Sequence, residues 1–319
     1  MAYYPILITT LNRYTHFKRC VESLAANKYA DQTELIIGLD YPPNEQYVEG
    51  YNQIKAYIPL ISGFRKVTVF EREENFGPKK NFNSILEYAY NFYDAIIGTE
   101  DDNVFSPCFL EFMNQGLNHF KNDKRVMTVS GYTEPQYYGR VKESVMFSYD
   151  CSPWGMGMWK HKNYTYSNDF LRDIIFNPRK SWKIFYKSPG LFHQLMGMVK
   201  GNYINGDGYR SIYNVINNTL QFSPSLSLVR NMGYDNSGVT CGTVDLFDRT
   251  NQLISEETSF DINFDIISDP FESGVKKGLL LYELPMPYGR LYVAKYILRL
   301  MFDYFSFMIK NYRFIKRNR

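Results

Sequence analysis

The sequence is poor in the residues that usually announce a catalytic chemistry. Four cysteines (Cys20, Cys108, Cys151, Cys241) and four histidines (His16, His119, His161, His193) are scattered through 319 residues, none at metal-binding or triad spacing. That excludes a zinc-finger or disulfide-stapled scaffold and points to reduced thiols and structural histidines. Neither GxGxxG nor GxxxxGK[ST] follows any strand-like run, so a nucleotide would not be held as in dehydrogenases or P-loop enzymes. The N-terminus lacks a basic stretch followed by an apolar one, which predicts a cytoplasmic protein. The one stretch long enough to span a bilayer, Leu291 to Ile309, is interrupted by Lys295, Arg299 and Asp303.

Aromatic rings, by contrast, are abundant: 28 Tyr, 24 Phe and 3 Trp make up 17% of the chain. Charge is unevenly spread. From Lys276 to Arg319 ten basic residues face only two acids, a net +8, which leaves −5 on the rest of a chain of formal charge +3. A mildly acidic body argues against nucleic acid as the ligand, and the basic end argues for a surface-seeking tail.

The first half alternates strand and helix patterns. Apolar runs at Pro5 to Thr10, Glu34 to Leu39, Lys66 to Phe70, Asp94 to Gly98 and Arg125 to Ser130 read as strands. Between them lie helical stretches: one with Phe17, Val21 and Leu24 at helical spacing and Thr15 as N-cap, then Glu45 to Ile58, Asn81 to Phe92 and Phe109 to Phe120. This order predicts βαβ units in a doubly wound, mostly parallel sheet, whose ligands sit beyond the carboxyl ends of the strands. The polar clusters fall at those ends: Thr9 to Arg13, Asp40, Asn75 to Lys80, and Glu100 to Asn103. The second half is less regular, with an apolar helical stretch near Leu191 to Val199. The expected organisation is one compact body in two halves, 1–131 and 132–260, followed by a connector with a basic, amphipathic helical tail over 261–319.

Glu100-Asp101-Asp102 follows an apolar strand directly. Adjacent carboxylates repel one another and are costly near a core, and a divalent cation would relieve that cost.

The ordered set of a Thr9-Thr10-Leu11-Asn12-Arg13 turn, Asp40, Asn75-Phe76-Gly77 and Glu100-Asp101-Asp102 resembles the glycosyltransferases of the GT-A (Rossmann-like) fold. The likeness is to the inverting family-2 type and to the N-acetylglucosaminyltransferase I type, over about the first 110 residues. It implies that Thr9, Thr10 and Arg13 border the nucleotide, that Asp40 meets the base, and that Lys79 neutralises phosphate. It further implies that Glu100 lies near the donor sugar, Asp101 near the ribose, and that Asp102 ligates Mn2+ or Mg2+. The segment Trp154-Gly155-Met156-Gly157-Met158-Trp159 would line the sugar site, with Trp154 and Trp159 foremost among its rings, and Gly233 to Gly242 would be a late loop over the donor, with Cys241 where relatives often place a histidine. The donor would be a nucleotide-diphosphate sugar, a UDP-sugar first. The acceptor would be a glycan or a lipid-linked sugar in surface polysaccharide assembly. The general base would be Asp207, in Asn205-Gly206-Asp207-Gly208, with Asp150 as the other candidate; Asn-Gly-Asp-Gly is equally a turn and helix cap.

In the tail, Lys295, Arg299 and Asp303 share one helix face, opposite Tyr292, Ile297, Leu300, Met301, Phe305 and Met308. That pattern predicts an interfacial amphipathic helix on an anionic membrane, at the inner face of the cell membrane, with Lys310 to Arg319 as a polybasic end. The alternatives are a helix packed on the body, a sugar-phosphate nucleotidyltransferase, and a non-enzymatic membrane-attached binding or lytic protein. The nucleotidyltransferase reading wants a glycine-rich loop after the first strand, and Thr9 to Arg13 has no glycine.

Overall fold

The computed structural model describes residues 2–138, 144–238, 244–245, 247–264 and 290–311. The chain forms two compact units. One comprises Met1–Met146, Ser152–Asn163 and Gln221–Ile267, the other Phe147–Cys151, Tyr164–Leu220 and Ser268–Arg319. These bounds do not coincide with the three continuous segments expected from the sequence.

In the first unit, β1 (Ile6–Thr10), β2 (Glu34–Leu39), β3 (Lys66–Glu71) and β4 (Ala95–Glu100) pair in parallel in the order β3-β2-β1-β4. Leu7, Ile36 and Ile96 sit in one buried cluster with Ile85 and Ala89. Continuous apolar runs suit strands covered on both faces. The helices α1 (Tyr14–Ala25), α2 (Val48–Tyr57) and α3 (Gly77–Ala89) lie in the β1–β2, β2–β3 and β3–β4 connections. Thr15 lies inside α1, and the N-cap position belongs to Arg13, whose side chain makes no cap bond.

Beyond β4 the sheet turns mixed. The expected fifth strand exists, with β5 (Asn103–Phe105) before it in the chain, as β6 (Val126–Ser130). It is separated from β4 by β8 (Met156–Trp159), which runs antiparallel to both. The helix α4 (Phe109–His119) covers this insertion closely. A Cβ on Gly157 would meet Leu117 at 2.9 Å, and the Trp159 indole donates to the Leu117 carbonyl at 3.1 Å. Trp159 is therefore a core residue. The strands β9 (Leu220–Pro224) and β7 (Val145–Ser148) complete the eight-strand order, and β10 (Val229–Asn231) pairs antiparallel with β5 in a separate ribbon.

The second unit is helical: α5 (Asn168–Phe176), α6 (Pro178–Lys187), α7 (Pro189–Gly201), α8 (Gly206–Asn217) and α9 (Arg290–Lys310). The first four each start on a capping side chain. Ser167 accepts from the Phe170 amide, Asn177 from Arg179 and Lys180, Ser188 from Leu191, and Asn205 from Gly208. Among the described residues no helix is long and apolar enough to cross a membrane. The three described cysteines are free.

Candidate functional site

The carboxyl ends of β1 and β4 bring Thr9, Thr10, Arg13 and Glu100 to Asp102 together. Asp101 and Asp102 are buried, and their charges converge on one cation. The Arg13 guanidinium pairs with Asp101 Oδ1 through Nη2 and with Asp102 Oδ2 through Nη1, the latter at 2.8 Å. Thr10 Oγ1 donates to Asp101 Oδ2 at 2.8 Å, and Asn231 Nδ2 donates to Asp102 Oδ1 at 2.9 Å. Burial pushes the Asp101 carboxyl up; Arg13 opposes the rise and Asp102 adds to it. Against its own burial, the two aspartates hold the Arg13 guanidinium above its ordinary range.

All four oxygens of this pair therefore already accept a donor from the protein. The cost that a divalent cation was expected to relieve is relieved by Arg13, and a cation would enter only in its place. Among the described residues no group of three or more His, Cys, Asp or Glu side chains could hold a metal ion. As arranged, the residues do not fit a resident cation.

The ribbon β5–β10 holds Asp102 from the other side. The Met232 amide donates to the Asp102 carbonyl at 2.9 Å. A Cβ on Gly233 would collide with Asp102 Oδ2, so only glycine lets this loop pass. Two residues on, Asp235 Oδ2 meets His16 Nε2 at 2.7 Å, and Arg19 donates to His16 Nδ1 at 2.8 Å. The loop after β10 is thereby tied to α1. The expected late loop is described only to Gly238; Cys241 and Gly242 lie outside the described residues.

The remaining candidates divide. Asp40, buried at the end of β2, accepts from the Tyr41 and Phe76 amides through Oδ1 at 2.9 and 2.8 Å, which joins the Asn75 loop to the strand end. Lys79 is exposed in the first turn of α3. Thr9 is half-buried and pairs in register with Glu100. Glu100 is exposed, and its Oε2 accepts from the Trp154 indole at 3.0 Å, so Trp154 does reach the acidic segment. Gly155 serves packing: its φ is 69°, and a Cβ there would lie 2.8 Å from the Phe109 ring.

In the second unit Asp207 stands in the first turn of α8, behind the Asn205 cap. Among the described residues it accepts no hydrogen bond. Burial raises its carboxyl to about 6, with Arg210 opposing the rise. Arg210 lies 5.5 Å from the rings of both Tyr164 and Tyr166. The Asp150 carbonyl accepts from Ser148 Oγ at 3.3 Å.

Asn231 and the His16–Asp235 pair were not singled out from the sequence. Only the glycine pattern around Gly233 hinted at that side of the site.

The model of the family described as glycosyl transferase family 2 matches residues 6–178. Among solved structures, the chain is similar to the mannosyltransferase PcManGT from Pyrobaculum calidifontis, solved with GDP-Man and Mn2+. The TM-score is 0.37 at 14% identity, covering 50% of this chain and 44% of that one. TarS of S. aureus gives a TM-score of 0.36 at 16% identity, over 49% and 28% of the two chains. Its fragment 1–349 with UDP-GlcNAc gives 0.37 at 14% identity, over 54% and 48%. The chain thus spans under half the length of each of these structures. No curated protein matches it significantly.

Proposed function

The chain belongs to glycosyl transferase family 2, and from that membership we propose that it moves a sugar from a nucleotide-diphosphate sugar to a hydroxyl of a glycan or lipid-linked acceptor. A UDP-sugar is the first donor to test, and surface polysaccharide synthesis is the setting. The observation that carries this reading is the buried Asp101–Asp102 pair, set beside Thr10 and Arg13 at the carboxyl ends of parallel strands. That is where open α/β sheets bind ligands, and it lies within the segment the family model matches.

The reaction is a single displacement with inversion. The acceptor oxygen bonds to the anomeric carbon from the face opposite the diphosphate. The bond from that carbon to the phosphate oxygen breaks, and its electron pair leaves with the nucleoside diphosphate. The hydroxyl proton passes to a carboxylate, for which we assign Asp207. A carboxyl near 6 is mostly ionised at neutral pH and is a stronger base than an ordinary aspartate. Charge building on the leaving diphosphate is met by Lys79 and by the N-terminal end of α3. Asp40 fixes the Asn75 loop and offers a carboxylate to the base.

The test is a thermal shift of the full chain with UDP- and GDP-sugars, with and without Mn2+. The expected result is a rise of several degrees with one nucleotide sugar, lost in Asp102→Asn. No rise with any of them would remove the reading.

A further inference from the structure

Helix α9 has two apolar faces, and among the described residues only one is covered. Tyr296, Leu300, Tyr304 and Phe307 recur every three or four residues and turn onto α5 and α7 of the same unit. Leu300 is 3% exposed. The Tyr304 hydroxyl donates to the Ile175 carbonyl at 3.2 Å, and its ring meets Phe192 edge-on at 5.2 Å. Phe307 stacks on Phe176 at 5.7 Å, and the Tyr296 hydroxyl lies 3.0 Å from His193 Nδ1. Packing on the body, held open from the sequence as an alternative, is therefore real.

The same helix turns a second stripe outward. Leu298, Phe302, Phe305 and Ile309, at i, i+4, i+7 and i+11, are 66%, 73%, 58% and 75% exposed. At 3.6 residues per turn this stripe lies opposite the packed one. The outward face differs from the one expected: Leu300 points inward, while Leu298 and Phe302 join Phe305 outside. Scattered exposed apolar residues need no explanation, but four large ones aligned on one helix face do.

Charge selects the occupant. Lys295, Arg299 and Lys310 fall on one flank of the stripe, and the sequence continues with Arg313, Lys316, Arg317 and Arg319. The unit that holds α9 carries seventeen Lys and Arg against eight Asp and Glu, a net +9, whereas the other unit carries −6. A second copy of this chain meeting it stripe to stripe would bring the same positive charge and be repelled. An anionic lipid surface supplies both missing complements, hydrocarbon for the rings and negative charge for the flank.

We propose that the outward stripe of α9 inserts into the interfacial region of an anionic bilayer, while its opposite face keeps the helix fixed to its unit. The helix lies in the membrane plane and does not cross it.

The test is sedimentation of the full chain with phosphatidylcholine vesicles, with and without phosphatidylglycerol. Wild type should bind the anionic vesicles. Phe302→Asp with Ile309→Asp, which changes only outward side chains, should bind about tenfold or more weakly. Lys295→Gln and Arg299→Gln should each weaken binding to anionic vesicles by about fivefold. All variants should keep the wild-type thermal midpoint and the wild-type response to nucleotide sugars, which separates this proposal from the transfer reaction. Three results would overturn it: wild type staying with the soluble fraction, the double variant binding like wild type, or a wild-type dimer that the double variant dissolves.

Discussion

The Arg13 guanidinium lies 2.8 Å from the Asp102 carboxylate while its other nitrogen pairs with Asp101. One side chain at the end of β1 thus neutralises two adjacent acids at the end of β4. The planar fork of arginine suits this double contact, and a lysine would not reproduce it.

Arg13→Ala should therefore lower stability by about 3–5 kcal/mol, because it leaves two buried carboxylates without their counter-charge. Urea denaturation measures this. Mn2+ without nucleotide should recover part of the loss in the variant and leave wild type unchanged. Equal stabilisation of both by Mn2+ would show that Arg13 does not stand in the cation's place.

Asp207 predicts opposite effects on activity and stability. As the base it must be ionised, so kcat/KM should fall about tenfold per pH unit below about 6. For stability, the folded state keeps the proton between the ordinary aspartate range and about 6, where the unfolded chain has released it. Stability therefore declines as pH rises through that window. Asp207→Asn should abolish transfer and raise the thermal midpoint at pH 7, with the gain vanishing below pH 4. A variant with lost activity but no gain at pH 7 would point away from a buried ionised base.

Gly233→Ala forces a methyl group against Asp102 Oδ2. Overpacking there should cost about 1–3 kcal/mol and weaken nucleotide-sugar binding by displacing Asp102 from Asn231. Calorimetric affinity within twofold of wild type would mean that the loop yields without disturbing the site.

His16→Ala cuts the tie between α1 and Asp235. The loop from Gly233 to Gly238 should then exchange amide hydrogens faster, with KM for the donor rising more than kcat falls. Unchanged exchange would show that the pair does not hold the loop.

Much of the first unit was legible. Ile6–Thr10, Glu34–Leu39 and Ala95–Glu100 are apolar runs that end in polar clusters, and burial on both faces of a parallel sheet demands that pattern. The insertion of β8 between β4 and β6 was not legible, because pairing of Ile97 with Gly157 is settled by packing far along the chain. Asn231 and the His16–Asp235 pair carry no local signal either; they meet the site across 129 and 219 residues. The helices α5 and α6 could have been read: Ser167, and Asn177 followed by Pro178, are caps and a first-turn proline. In the tail, the sequence shows apolar and charged positions but does not say which of two apolar faces meets protein. Leu300 and Phe302 lie on opposite faces by helix geometry, and Leu300 is the buried one because Phe192 and Phe176 pack on its side, against Tyr304 and Phe307.

The central claim is transfer of a sugar with release of a nucleoside diphosphate, and the most direct measurement is that release. The full chain is incubated with a panel of UDP- and GDP-sugars and a mixture of glycan and lipid-linked acceptors, and the free nucleoside diphosphate is quantified. One donor should be consumed with acceptor-dependent kinetics, and consumption should fall by at least about a hundredfold in both Asp102→Asn and Asp207→Asn. Consumption that persists undiminished in both variants, or no donor consumed under any condition, would contradict the account.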